Sequence, residues 1–205
     1  MHVFRSNPAN GLSFEDLKAI KSYLLKGGIG ILPTDSVYTI ACLLSNKTGI
    51  ERICQIADKK MQQSQLSIIC SDFEMVSRFA LPIPNPIFRA MKASLPGPYT
   101  FIINADVKAM KHYENRRKTI GIRIPDFEFL TTLVRELNEP LICSSLHSDD
   151  QFMEYENQET AISRNYEKTM DFFLEKEQMG LIPSTVYNCT SGVLELIREG
   201  KGELL

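Results

Sequence analysis

The chain has 205 residues and a mass of 23.3 kDa, a length that fits one domain. Hydrophobic residues make up 43% of it, which excludes a mainly disordered chain, and no apolar run approaches the roughly 18 residues of a membrane helix. The net charge of −2 hides a division: residues 1–125 hold 17 Lys and Arg against 9 Asp and Glu, and residues 126–205 hold 6 against 16. A basic first part directs attention to phosphate-bearing ligands. Met1-His-Val-Phe-Arg has no apolar stretch of signal-peptide type. The five cysteines (Cys42, Cys54, Cys70, Cys143, Cys189) form no C-x-x-C pair and mostly sit inside apolar runs. They are expected to be reduced core residues, with no zinc cluster or other metal site, in a cytoplasmic protein.

Ser13 can cap a helix whose first turn holds Glu15 and Asp16. Leu17, Ile20, Leu24 and Leu25 recur at helical spacing before Gly27-Gly28 stops it. Ile29–Leu32 reads as a buried strand ended by Pro33. A helix over 48–57, a strand over Leu66–Cys70 and a helix over about 72–80 follow. Past Pro82, Pro84 and Pro86, residues 86–94 predict a short helix that Leu95-Pro-Gly-Pro stops. Tyr99–Ile103 and Thr119–Ile124 read as strands, 126–137 as a helix, and Leu141–Ser144 as a strand. Residues 149–177 are polar and acidic, and their second half is expected to be helical. Val186–Asn188 and Val193–Arg198 suggest a closing hairpin. Alternating strands and helices predict an α/β sandwich. Because no clear helix joins 99–103 to 119–124, the sheet should be mixed.

Four clusters at strand ends could hold a ligand. Pro33-Thr-Asp-Ser-Val-Tyr offers three short oxygen-bearing side chains and a phenol at a turn, suited equally to capping. Asp58-Lys59-Lys60 suits a phosphate or a solvated loop. In the third, Lys111 to Pro125, a basic loop enters a strand whose Thr119, Gly121 and Arg123 share one face. Arg123, between Ile122 and Ile124, must meet an anionic ligand or a structural partner, since burying it unpaired is costly. The fourth, Cys143-Ser-Ser-Leu-His, lacks the G-x-S-x-G elbow of a serine hydrolase.

In this order, these segments resemble the YrdC/YciO family. Gly28-Ile-Gly-Ile-Leu-Pro-Thr-Asp-Ser-Val-Tyr is similar to its PTDTVYGL signature, and Leu95-Pro-Gly-Pro-Tyr-Thr-Phe-Ile to LPGPYTFIL. Thr119-Ile-Gly-Ile-Arg-Ile-Pro-Asp is similar to TIGIRIPDH, Pro140-Leu-Ile-Cys-Ser-Ser to PLISTSAN, and Pro183-Ser-Thr-Val with Ile197-Arg-Glu-Gly to the closing segment. The resemblance covers about residues 12–200 and implies one domain over 1–205, a twisted mixed sheet flanked by helices with a concave basic cleft.

In catalytic members the resemblance implies synthesis of threonylcarbamoyl-AMP and pyrophosphate from threonine, bicarbonate and ATP, feeding threonylcarbamoyl modification of tRNA. No cofactor is held tightly, and ATP enters as substrate with Mg²⁺. By position, Ser36 and Arg123 would contact threonine, and Lys60, Ser64, Thr119, Cys143, Ser145, Ser184 and Arg198 would contact the nucleotide. Lys59, Lys111, Arg116, Arg117 and Lys118 could hold RNA phosphates. The family's K-x-R motif is Asp58-Lys59-Lys60 here, its S-x-N motif is Ser145-Leu146-His147, and the glycine after the tyrosine of the first motif is Thr39. These departures look closer to the YciO branch. The alternative reading is therefore a protein that binds double-stranded RNA or a nucleotide, ATP or AMP, without this chemistry.

Overall fold

A computed structural model describes residues 1–5, 13–57, 66–113, 118–146, 158–176 and 179–205. The first helix, α1 (Phe14–Leu25), starts as its capping residue dictates. Ser13 Oγ accepts from Asp16 N at 3.0 Å, and the Asp16 carboxylate accepts from Ser13 N at 2.9 Å, a reciprocal capping box. Leu17, Ile20 and Leu24 are buried, and the helix ends before Gly27, whose φ of 84° suits a residue without Cβ. The other helices are α2 (Lys47–Ile56), α3 (Phe73–Ser77), α4 (Asn85–Ser94), α5 (Glu128–Leu137) and α6 (Gln158–Tyr166).

The strands are β1 (His2–Arg5), β2 (Gly30–Leu32), β3 (Thr39–Leu43), β4 (Ser67–Ile69), β5 (Tyr99–Asn104), β6 (Thr119–Arg123), β7 (Leu141–Ser145), β8 (Phe172–Glu175), β9 (Thr185–Asn188) and β10 (Glu195–Arg198). Among the described residues they form one ten-stranded sheet in the order β1-β8-β2-β3-β7-β4-β6-β5-β9-β10. It is mixed, as expected: β5 and β6 run antiparallel, whereas β4 and β6, β5 and β9, and β8 with both its neighbours run parallel. The closing hairpin is present as β9 and β10.

Strands β1, β3 and β8 were not expected. β3 follows the Pro33 turn directly and lies antiparallel between β2 and β7, buried on both faces, so its sequence has no alternation to reveal it. In the acidic stretch, helix α6 ends at Tyr166, and Phe172-Phe173-Leu174 then forms a fully buried strand between β1 and β2. The helix expected over 72–80 stops at Ser77, and Ala80 bridges to Ala105 instead. Gly30 makes room for β8: a Cβ there would lie 2.1 Å from the Phe172 ring.

Strand register separates the two faces of the sheet. On one, Cys42, Ile142, Ile68, Ile122, Phe101 and Tyr187 line up across six neighbouring strands, all buried. On the other, the adjacent row is Ala41, Cys143, Ser67 and Gly121, all small. A Cβ on Gly121 would lie 2.3 Å from Ser67 Oγ, so this row is already in close contact. These small residues form the floor of one sheet face, and Thr119, Arg123 and Ser145 share that face by the two-residue period of β6 and β7.

Candidate functional site

The connection between β2 and β3 is a turn held by its own hydroxyls. Thr34 Oγ1 donates to Val37 O at 2.7 Å and accepts from Ser36 N at 3.1 Å. Arg123, at the end of β6, points into this turn and is only 2% exposed. Its Nη2 donates to Ser36 Oγ at 2.9 Å, to Asp35 Oδ1 at 3.1 Å and to Thr34 Oγ1 at 3.3 Å. Asp35 Oδ2 accepts from Asp126 N at 2.9 Å, so one carboxylate ties the arginine to the chain just before α5. Among the described residues Arg123 Nε and Nη1 have no hydrogen-bond partner, although both are buried. Each such group costs about 1–3 kcal/mol if it stays unpaired. A guanidinium with one nitrogen clamped keeps donor capacity on the other two for an anion or acceptor.

A second arginine lies nearby. Arg198 at the end of β10 donates from Nη2 to Ser184 O at 2.9 Å and from Nε to the same oxygen at 3.2 Å. Ser184 Oγ shares a 2.8 Å hydrogen bond with Thr100 Oγ1 across the β5–β9 junction. Burial lowers the Arg198 pKa, and the positive charge of Arg123 lowers it further. That second influence places two cations within electrostatic reach of one another, an arrangement that an anion would relieve.

Of the remaining candidates, Thr119, Cys143 and Ser145 lie on the same face by strand register. Thr119 begins β6, four residues from Arg123, roughly 13 Å at 3.3 Å per residue. Ser145 is half-buried opposite Thr39, whose hydroxyl donates to Ser144 O at 2.8 Å. Cys143 lies in the floor, 2% exposed, and burial raises the pKa of its thiol. It therefore contributes a small neutral surface, not a nucleophile. Lys118 is exposed just before β6 with φ of 52°, and Lys111 is exposed on the preceding loop. Lys59, Lys60, Ser64, Arg116 and Arg117 lie outside the described residues, as do Asp58 and His147. The structure thus groups Ser36, Arg123, Ser184 and Arg198 at one end of the floor, with Cys143, Ser145 and Thr119 extending from it.

Three contributors were not assigned a role from sequence. Asp35 sits inside the first cluster, but only the fold shows that its carboxylate clamps Arg123. Thr100 gives no sequence signal as a site residue and enters through the β5–β9 pairing. Lys201, three residues after Arg198, reaches back so that its Nζ donates to Asp35 O. Among the described residues no group of three His, Cys, Asp or Glu side chains could hold a metal ion. No helix among them is long and apolar enough to cross a membrane.

Comparisons with known proteins agree with this fold. A family model named Sua5_yciO_yrdC, described as "Telomere recombination", matches residues 22–200. The protein YciO of Escherichia coli strain K12 is 30% identical over 205 residues, covering 99% of this chain and 96% of that protein. A threonylcarbamoyl-AMP synthase of Vibrio vulnificus strain YJ016 is 25% identical over 138 residues, covering 66% of this chain and 74% of the synthase. The crystal structure of E. coli YciO superposes with a TM-score of 0.87 at 30% identity, covering 99% of this chain and 98% of that one. P. abyssi Sua5 complexed with L-threonine superposes with a TM-score of 0.77 over 97% of this chain and 57% of that one; at 17% identity the likeness shows the fold alone.

Proposed function

Because this chain belongs to the Sua5/YciO/YrdC family, we propose that it binds L-threonine and ATP across the β6 face and forms threonylcarbamoyl-AMP. The observation that supports this reading best is the half-answered guanidinium of Arg123 beside the Ser36 hydroxyl. An amino-acid carboxylate supplies what Nε and Nη1 lack, and charge-assisted hydrogen bonds of this kind are about twice as strong as neutral ones. A nucleotide extending from the threonine would then be met by Arg198, Ser184, Thr119 and Ser145.

The chemistry is a nucleotidyl transfer. The threonine amine forms a bond to the carbon of bicarbonate with loss of water, giving a carbamate. A carbamate oxygen bonds to the α-phosphorus of ATP, the bond from that phosphorus to the bridging oxygen breaks, and pyrophosphate leaves with the electron pair. Little covalent work falls to the protein. Its tasks are to hold the two substrates in line and to place positive charge where phosphate charge develops. Asp35 serves by fixing the arginine's direction.

The deciding experiment supplies purified protein with threonine, bicarbonate, ATP and Mg²⁺, and follows pyrophosphate release together with the mass of the adenylate. The expected result is threonine-dependent pyrophosphate that Arg123→Ala abolishes. Release no greater than in a threonine-free control would overturn the reading.

A second reading is favoured by one observation: YciO matches nearly the whole chain at 30% identity, whereas the synthase matches 66% at 25%. On that reading the cleft holds a nucleotide or double-stranded RNA without turnover. Saturable binding of ATP or RNA with no product would then replace the first conclusion.

A further inference from the structure

The segment after β10 returns to the site under tight backbone control. Gly200 N donates to Thr185 Oγ1 at 3.1 Å, Lys201 N donates to Pro183 O at 2.8 Å, and Thr185 Oγ1 donates to Gly202 O at 2.6 Å. Gly202 is buried against Tyr99, where a Cβ would fall 2.5 Å from the ring. Backbone atoms on both sides of Lys201 are thus fixed, and its side chain leaves from a set position.

It leaves toward the ligand turn. Lys201 Nζ donates to the carbonyl of Asp35, the residue between the two hydroxyls that Arg123 touches. Among the described residues the Lys201 ammonium has no carboxylate within 4.0 Å, unlike Arg5, Lys21, Arg52 and Arg123. An ammonium has three N–H donors, and a single carbonyl takes one. A long lysine side chain loses conformational freedom when held in this way. One hydrogen bond at an exposed site is a small return for that ordering.

We infer that Lys201 is a ligand-binding cation of this site, and that with Arg198 it holds an oligophosphate, leaving Arg123 to the threonine carboxylate. The inference rests on the proposed function and names the group of the nucleotide that this residue would hold. Lys201 and Arg198 leave the same short segment, Lys201 toward the carbonyl of Asp35 and Arg198 toward the carbonyl of Ser184. A carboxylate needs only Arg123, whereas a pyrophosphate unit has the charge and acceptors to engage Lys201 and Arg198 together.

The test uses the full chain and inorganic pyrophosphate as the probe, followed by titration calorimetry for wild type, Lys201→Gln and Lys201→Arg, with L-threonine titrated in parallel. Lys201→Gln is expected to weaken pyrophosphate binding about ten-fold or more, the range for losing a charge-assisted hydrogen bond. Threonine affinity should stay within about two-fold, and Lys201→Arg should recover most of the loss because it keeps the charge. Thermal melting of the variants checks that they fold. Equal pyrophosphate affinity in wild type and Lys201→Gln overturns the inference, as does a wild type that takes up no pyrophosphate. If pyrophosphate binding depends on Lys201 but ATP, bicarbonate and threonine give no product, the synthase reading fails and the role of Lys201 as an anion-binding residue stands.

Discussion

Replacing Asp35 with alanine isolates the interaction on which the site depends. Arg123 and Asp35 are 2% and 7% exposed, and their 3.1 Å contact is the one well-buried ion pair among the described residues. The carboxylate also accepts from Asp126 N, so its loss strands a backbone donor as well as a guanidinium. Removing one partner of a buried pair typically costs about 3–5 kcal/mol, because the other charge is left in a poorly solvated place. For a chain of this size each kcal/mol lowers Tm by roughly 2–4 °C, which gives a fall of about 6–20 °C. Urea denaturation followed by far-ultraviolet circular dichroism measures the change. A companion variant with Asp35→Ala and Arg123→Met removes both charges and should recover a substantial part of the loss, since no charge is then stranded. If Asp35→Ala unfolds within about 1 kcal/mol of wild type, or if the double variant is less stable than the single, the reading of Asp35 as the clamp is wrong.

Gly30→Ala should lower stability by about 1–3 kcal/mol in the same urea assay, because its Cβ would overlap the Phe172 ring and force β8 to shift. Asp72 caps α3 by accepting from Met75 N at 2.8 Å, and this hydrogen bond is the main reason its pKa is lowered in the folded chain. A depressed carboxyl pKa stabilises the fold above the unfolded value near 3.8 and ceases to do so as pH falls through the lower folded value. The stability gap between wild type and Asp72→Asn should therefore be constant from pH 5 to pH 7 on the usual carboxylate scale and close below about pH 4. Finally, all five thiols are buried, and burial raises the pKa values of Cys42, Cys70, Cys143 and Cys189. Native protein at neutral pH should react with less than one equivalent of a thiol-specific disulfide reagent, and all five should react in denaturant.

The elements legible from sequence are those whose information is local. Ser13 with Asp16 announces α1, and the alternation of Thr119, Gly121 and Arg123 announces β6 and its ligand-facing side. What stayed hidden depends on partners distant in the chain. β1 pairs only with β8 among the described strands, at a separation of 170 residues, so neither reads as a strand alone. β3 is buried on both faces and loses the two-residue period that marks half-buried strands. The same division holds for the site. Arg123 within an apolar strand demanded an anionic partner on solvation grounds, and that partner proved to be Asp35 together with the turn hydroxyls. Lys201 had no such signal, because an exposed lysine in Arg-Glu-Gly-Lys looks like any solvated surface until the chain brings it to Asp35.

The position of β8 in the sheet order also sets a timetable for synthesis. β2 is complete at residue 32, but the strand that covers its outer edge begins at residue 172. At about 5–20 residues per second, a ribosome needs roughly 7–28 s to make the intervening chain. Throughout that interval Ile31, which ends with no exposed surface, lies on an uncovered sheet edge. Slow codons between these two strands would lengthen the exposure and raise the yield of aggregated nascent chains, without altering a single residue of the finished protein.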